Sequence, residues 1–401
     1  MNTSSVTLAE RSAFTEEQLR VLGYDIYYPS IGGELGDPFC VNRRYAINMA
    51  TNNYLGLAND PRIKEAYIDG IYKYGTSMCA TPVAGGYTDQ FEAVEAALAP
   101  FIGVERLLLY PSCYQANNGL FSALATEDDL VLFDRGAHSS LIQGILPVGC
   151  AKYPFAHNDP DALEYLLRKK TGYAHVFVVT ESVFSTEGSI APFAEINALC
   201  KRYGATPVVD DSHGIGVLGA HGGGILDHCG ITDYDGLYTT SLGKAIANNC
   251  GVVGGPRRVI DYMRYLSSHL VYSTAVAPCI LSGLLRTLDI LELEYRDRIE
   301  RVYRYRDTIR AALRAAGFTV VDGAAPINSI VAGPSEETVR ISKALMQRGV
   351  LTTPFVFPSV PKNKGRVRMI AGANLAESTI AYVCTALDGI HHNLYDNALV
   401  A

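Results

Sequence analysis

The sequence predicts an α/β fold, with a large domain on a mainly parallel sheet covered by helices and a smaller α+β domain after it. Three observations predict this. Short runs rich in Val and Leu alternate with helical stretches, a long helical segment follows them, and polar residues cluster where the apolar runs end. Runs apolar on both faces indicate strands buried between helical layers, as in parallel sheets. In such sheets ligands sit beyond the carboxyl ends of the strands.

Residues 1–50 read as an N-terminal arm. "TDQFEAVEAALAPFIG" carries apolar residues at helical spacing, with Thr88 or Asp89 as its N-cap. The strand candidates are "RLLLYPS", "DLVLFDR", "HVFVVTES", "TPVVDDS", "GLYTTS" and "CGVVGG". Polar clusters fall at their ends: Ser112, Asp134 to His138, Glu181 to Glu187, Asp210 to His213, and Ser241 to Lys244. These elements fill a large domain over 51–285. Near Leu281 the pattern becomes one long helical stretch ending at Gly317, which leads into a smaller domain over 286–401. There "FTVVDG", "INSIVAG", "VRISKALMQRGV" and "RVRMIAG" suggest mixed strands and helix. No internal repeat or low-complexity segment interrupts the chain.

The 401 residues are 48% hydrophobic and 19% charged, which excludes a disordered chain. A net charge of -7 argues against nucleic-acid binding, which concentrates Lys and Arg. Nine cysteines with no C-x-x-C pair suggest neither a disulfide framework nor a zinc site, and so a reducing, cytoplasmic setting. No apolar run reaches the roughly 20 residues that span a bilayer. "MNTSSVTLAERSAF" has neither the basic start nor the apolar core of a secretory leader.

Gly214, Gly216 and Gly219 satisfy G-x-G-x-x-G, but a dinucleotide site needs a helix starting inside the motif. The glycine-rich "AHGGGILDHCG" downstream does not supply one. "VVDDSH" places two carboxylates, a hydroxyl and an imidazole at a strand end. Read alone, Asp211 or Ser212 caps the next turn and His213 is a satisfied polar residue. An Asp buried there can instead hold a pyridinium proton. No second His or Cys stands at metal-ligand spacing, so no metal is expected. "YPSCYQANNGL" opens a helix whose free N–H groups suit an anion, without the G-K-[ST] of a nucleotide phosphate loop.

His138 alone reads as a partnered structural histidine, and Ser185 as a turn residue. Arg366 and Arg368 alternate on a strand, so one faces solvent and the other can grip a carboxylate. Lys244, in "TTSLGKAIANNCG", has no charged residue within five positions on either side. It reads either as a strand-end lysine reaching solvent or as a Schiff-base lysine. An amine walled by small neutral groups loses hydration, which favours its neutral, nucleophilic form.

From "NNYLGLANDP" to the "RVR" at Arg366, these motifs occur in an order that resembles the α-oxoamine synthases, pyridoxal-phosphate enzymes of fold type I. The resemblance implies a Schiff base on Lys244, which also moves the substrate Cα proton. It implies that Asp210 pairs with the cofactor's pyridine nitrogen, His213 with its 3-oxygen, and that His138 stacks on its ring. The backbone at Cys113 and Tyr114, with Ser241, would hold its phosphate, and Ser185 would touch it. Asn52 would lie on the substrate side and Arg368 would hold the amino-acid carboxylate. Ser273 and Thr274 match a segment that reaches the neighbouring subunit's site, which implies a homodimer.

The implied reaction joins an amino acid to an acyl thioester, carried by coenzyme A or a carrier protein, usually with loss of CO2, to give an α-amino ketone. An aldolase or aminotransferase of the same fold, or a non-catalytic partner subunit, are the rivals. The chain departs from the family pattern at Pro82, where an arginine is usual, and at Phe91, where a histidine is usual. It also departs at "AIANNCG" after the lysine and at "GANL" after the late arginine. These positions are expected to neighbour the acyl-donor and substrate regions, which suggests a specialised-metabolism enzyme.

Overall fold

A computed structural model describes residues 7–23 and 27–390 of the chain. The parts of the expected arm and small domain over 1–6, 24–26 and 391–401 lie outside the described residues. The first strands are β1 (Ile31–Gly32), β2 (Phe39–Val41) and β3 (Arg44–Asn48). Seven strands then build the central sheet: β4 (Arg106–Tyr110), β5 (Leu130–Asp134), β6 (Ala151–Phe155), β7 (Val176–Glu181), β8 (Thr206–Asp210), β9 (Leu237–Ser241) and β10 (Gly251–Gly255). Their order is β4-β10-β9-β8-β7-β5-β6. Only β10 runs against its neighbours, so the sheet is mainly parallel.

The six apolar runs read from the sequence are all strands of this sheet. The seventh, β6, escapes that reading for a physical reason. It is an edge strand whose Tyr153 and Pro154 are exposed, so it needs no continuous apolar run. A proline is tolerated there because an edge strand leaves some N–H groups unpaired.

After the central sheet come β11 (Asn328–Gly333), β12 (Val350–Leu351), β13 (Thr353–Phe355) and β14 (Gly365–Met369). β11, β14 and β13 form a small antiparallel sheet, while β12 pairs in parallel with β3. Within the stretch expected as an arm, Ile47 and Met49 therefore share a core with Tyr305, Ile309 and Val367. Hydrophobic contact with the C-terminal strands has drawn this N-terminal segment across the chain. "FTVVDG" forms no strand, only an isolated bridge from Val320 to Ile330.

The long helix runs Pro278–Ala315 and starts on a proline, whose missing N–H costs nothing in a first turn. Its 38 residues reach about 57 Å at 1.5 Å per residue. Leu281, Leu284 and Leu291 bury against the central core, and Tyr305, Ile309 and Leu313 against the C-terminal one. It packs closely on the helix Pro61–Tyr74. A Cβ at Gly283 would lie 1.9 Å from Tyr67 Cε2, so the approach depends on glycine. Gly283→Ala is expected to cost about 1–3 kcal/mol through overpacking, read as a lowered melting temperature with the chain still folded. Among the described residues no helix is long and apolar enough to cross a membrane.

Candidate active site

The carboxyl ends of β4, β5, β7, β8 and β9 meet the expected polar clusters at one edge of the sheet. Beyond β4, Ser112 caps the helix Cys113–Leu124, its Oγ accepting from the Gln115 N–H at 3.2 Å. The N–H groups of Cys113 and Tyr114 lie in that first turn, and orphan donors there suit a phosphate. Gln115 Nε2 donates to Ser273 Oγ at 3.0 Å, so Ser273 borders the same turn, with Thr274 exposed beside it. Ser241 N donates to Ser212 Oγ at 2.9 Å, which fixes the end of β9 against "VVDDSH".

Asp210, at the end of β8, is buried. Its Oδ2 accepts from Asn117 Nδ2 at 2.8 Å and its Oδ1 from the Ser212 N–H at 3.0 Å. Asn117 Nδ2 also donates to Ser140 Oγ at 2.8 Å, and that hydroxyl lies 2.8 Å from His138 Nδ1. Asp210 and His138, 72 residues apart in the chain numbering, are thus linked through Asn117 and Ser140. His138 caps the helix Ser139–Ile145, and desolvation holds its pKa below the usual histidine value. Glu181, directly across from Asp210 in the sheet, is pushed well up by burial and then by the Asp210 charge.

Lys244 follows β9 in a tight loop, with Asn248 N bonded to Leu242 O at 2.8 Å and Ala247 N to Lys244 O at 3.0 Å. Burial lowers its pKa, against the attraction of Asp210. No carboxylate stands within ion-pair distance of its amine among the described residues. His213 is buried, with Nδ1 2.8 Å from the Tyr54 hydroxyl, and burial followed by Lys244 and Arg368 keeps it neutral. Arg368 is 5% exposed, donates from Nη1 to the Ser185 carbonyl at 3.2 Å, and packs over the Phe355 ring. Its Nε has no partner, and neither has the buried Oδ1 of Asn52. Arg366, its neighbour by alternation, is half-buried and donates to the Lys364 and Gly365 carbonyls.

Sequence reasoning named the ends of this constellation and missed the links. Tyr54 lies inside "NNYLGLANDP" and Asn117 inside "YPSCYQANNGL", but nothing in their spacing announces a partner across 159 or 93 residues. Asp211 caps no following turn. It is fully buried, and its Oδ2 accepts from the Ile225 N–H at 2.9 Å and the Tyr238 hydroxyl at 2.8 Å. Of the glycines in the apparent dinucleotide motif, Gly214 serves this clamp, since a Cβ there would lie 1.9 Å from Asp211 Oδ1, while Gly216 lies against Ala245 and Gly219 against Asp227. No helix starts among Gly214, Gly216 and Gly219, which removes the dinucleotide reading.

Burial raises Asp211 to about 7. Because the folded value lies above the unfolded one near 4, its contribution is complete below about pH 4 and lost as pH rises through 7. That is roughly 4 kcal/mol at 1.36 kcal/mol per unit. Asp211→Asn keeps both acceptor contacts without the charge. The wild type is therefore expected to lose melting temperature relative to this variant between pH 4 and 7.

The departures after the lysine turn inward. Ile246, Asn248 and Cys250 are buried, and Asn248 bonds to Tyr67 at 2.9 Å and Thr287 at 3.0 Å. Asn248 thus ties this loop to the helices Pro61–Tyr74 and Pro278–Ala315, Cys250 Sγ donates to the Tyr110 carbonyl, and Asn249 between them is exposed. Phe91 is likewise buried, stacked on Tyr87 with centroids 5.2 Å apart. It lines a cavity of about 240 Å³ together with Pro82, Leu109 and Leu270.

A half-buried lysine without an ion pair among the described residues, a carboxylate in a hydrogen-bonded chain, a helix N-terminus and a buried guanidinium without a carboxylate suit an aldehyde cofactor bearing a phosphate and a basic ring nitrogen. On a mainly parallel α/β sheet that donor set defines a fold type I pyridoxal-phosphate transferase. Residues 44–387 match the family described as aminotransferase class I and II. The chain is 32% identical over 366 residues to an 8-amino-7-oxononanoate synthase from Alkaliphilus metalliredigens, spanning 90% of this chain and 92% of the relative. It is 33% identical over 329 residues to a 2-amino-3-ketobutyrate coenzyme A ligase from Salmonella typhimurium, spanning 81% and 82%. A solved Sphingomonas wittichii serine palmitoyltransferase shares the fold with a TM-score of 0.89 at 23% identity, over 94% of this chain and 96% of that one. The chain belongs to the aminotransferase class I and II family and, within it, to the α-oxoamine synthases. It is a pyridoxal-phosphate-dependent acyltransferase that condenses an amino acid with an acyl thioester.

Proposed function

We propose that this chain carries out that condensation with loss of the amino acid's carboxylate as CO2, at a site centred on Lys244, Asp210 and Arg368. The observation that carries the reading is Arg368, a buried guanidinium with a free Nε and no carboxylate partner among the described residues. Such a group is costly to bury unless an anion completes it, and an amino-acid carboxylate does so bidentately. Asn52, with its own unpartnered Oδ1, offers an acceptor to the substrate.

Bound pyridoxal phosphate supplies an aldehyde for amines and a ring that withdraws electrons from the substrate Cα. Lys244 Nζ would hold that aldehyde and, once free, would take and return the substrate Cα proton. Its lowered pKa leaves more neutral amine available than an exposed lysine would. Asp210 would hold a proton on the ring nitrogen. His213, accepting at Nδ1 from Tyr54, keeps its proton at Nε2 to donate to the ring's 3-oxygen. His138 would lie against the ring, and the first turn at Cys113 and Tyr114, with Ser241, would bind the phosphate. Ser185 contributes a cofactor contact, and its carbonyl fixes Arg368. The substrate Cα would bond to the acyl carbon as the thiolate leaves and takes a proton from water, and loss of CO2 would free an electron pair at Cα for the proton that Lys244 returns.

The assembly is a homodimer in which Ser273 and Thr274 border the shared site. Exposed Tyr72, Val83, Tyr265 and Tyr272 support this, since apolar groups of that size left in water mark an interface. The nine cysteines, none in a disulfide, support a cytoplasmic setting. Nearly equal identity to two differently named relatives supports an acyl donor or amino acid of its own.

The test combines the pyridoxal-phosphate-loaded protein with an amino-acid panel and acyl-CoA or acyl-carrier thioesters. Free thiol and CO2 released together support the proposal. Keto-acid formation without thiol release would move the chain to the aminotransferases.

A further inference from the structure

We infer that His157 is a positioning residue: set between Asp134 and Glu187, it locks the turn carrying His138 to the loop carrying Ser185, and so holds Arg368 where the substrate carboxylate arrives. This rests on the reading of Arg368 given above. His157 Nδ1 lies 2.9 Å from Asp134 Oδ1, and its Nε2 lies 2.9 Å from Glu187 Oε1. The ring meets Phe184 edge-on, with centroids 4.2 Å apart.

Each carboxylate organises its own segment. Asp134, fully buried at the end of β5, also accepts from the N–H groups of Gly136 at 2.6 Å and Asn158 at 2.9 Å. The turn so formed leads directly to His138. Glu187 also accepts from Ser189 Oγ at 2.9 Å, and its loop closes through Gly188 N to Phe184 O at 2.8 Å. Inside that loop the Ser185 carbonyl receives Arg368 Nη1, and the Thr186 carbonyl receives Ser329 Oγ from β11 at 2.7 Å. The imidazole therefore ties the cofactor-face turn to the substrate-carboxylate loop.

Both ring nitrogens face carboxylates, so the bridge is complete only when the ring carries two protons. Burial by itself would lower the pKa of His157, but the hydrogen bonds to Asp134 and Glu187 raise it to about 9. Around it, Asp134 and Glu187 are the charged groups in contact, and Arg366 acts on Glu187 from β14. A folded pKa above the unfolded 6.5 means that the stabilisation is whole below about pH 6.5 and lost as pH rises through 9.

The test uses holoenzyme, with glycine, L-alanine and L-serine as probes, followed by the cofactor's visible spectrum. His157→Gln is expected to raise the Kd of the probe that perturbs the wild-type spectrum most by about tenfold. That is less than the roughly hundredfold that a 1 Å misplacement can cost. Between pH 7 and 10 the wild-type Kd should climb more steeply than the variant's, because only the wild type loses the bridge. Substrate-amine titration is common to both and cancels in the comparison.

Glu187→Gln, at a partly exposed site, should keep the fold and move the wild-type climb to lower pH. It carries the test if His157→Gln does not fold. Equal Kd values and identical pH profiles across wild type and both variants would overturn the inference. Arg368→Lys separates the two readings. If it weakens the probe while the other variants do not, only the role of His157 falls; if it changes nothing, the carboxylate reading falls and this inference with it.

Discussion

Lys244→Ala is expected to leave no visible absorbance band after the pyridoxal-phosphate-treated protein is freed of unbound cofactor, and to lower turnover by about a thousandfold or more. In the proposed site this amine both holds the aldehyde covalently and moves the Cα proton, so one substitution would remove both roles. The fold should survive. Lys244 forms no ion pair among the described residues, and the loop around it is held by backbone bonds from Asn248 to Leu242 and from Leu242 to Cys250. Burial already opposes its charge, so removing it should leave the melting temperature unchanged or slightly higher. A lysine reaching solvent, the competing reading of the same sequence, predicts an unaltered spectrum. A persisting band in the variant would therefore sink the Schiff-base assignment.

The sequence carried the sheet better than the connections across it. Burial on both faces forces an apolar run, and every internal strand of the central sheet showed one. The exposed edge strand β6 has no such constraint and stayed hidden. The inverted direction of β10 was also invisible, because a buried strand reads the same whichever way it runs. In the site, residues at strand ends were legible since position along the chain places them. Tyr54, Asn117, Ser140 and His157 were not, because their roles depend on hydrogen bonds between segments far apart in sequence. The stretch "AIANN" shows the same limit. Its unusual composition pointed to the substrate, yet Asn248 faces Tyr67 and Thr287, and Ala247 adopts a φ of 56° that glycine would adopt without strain. A departure from a family pattern marks a change in environment without saying on which side of the loop that environment lies.

Asp210→Asn is expected to lower turnover by about 10²–10⁴ while the protein stays folded and still binds its cofactor through Lys244. The side chain keeps its size, and its surroundings can adapt. Asp210 now accepts from Asn117 Nδ2 and from the Ser212 N–H, and an asparagine oxygen can keep the bond to Ser212. Asn117, whose Oδ1 has no partner, can turn to accept from the new amide. What is lost is the charge. A neutral amide cannot hold a proton on the cofactor's ring nitrogen, so the ring withdraws electrons less strongly just when the Cα bond breaks. The loss should also reach two neighbours in opposite senses. Asp210 is the main group raising Lys244 against its burial, so the variant's lysine should titrate lower still. The same charge helps push Glu181 up, so Glu181 should ionise more readily in the variant. The pH dependence of turnover should therefore shift its acid-side limb to lower pH as well as lose height. Circular dichroism, the visible spectrum and kcat measured across pH check each part. Wild-type turnover in a folded, cofactor-loaded Asp210→Asn protein would remove Asp210 from the chemistry and leave it only as the end of the hydrogen-bonded chain from His138.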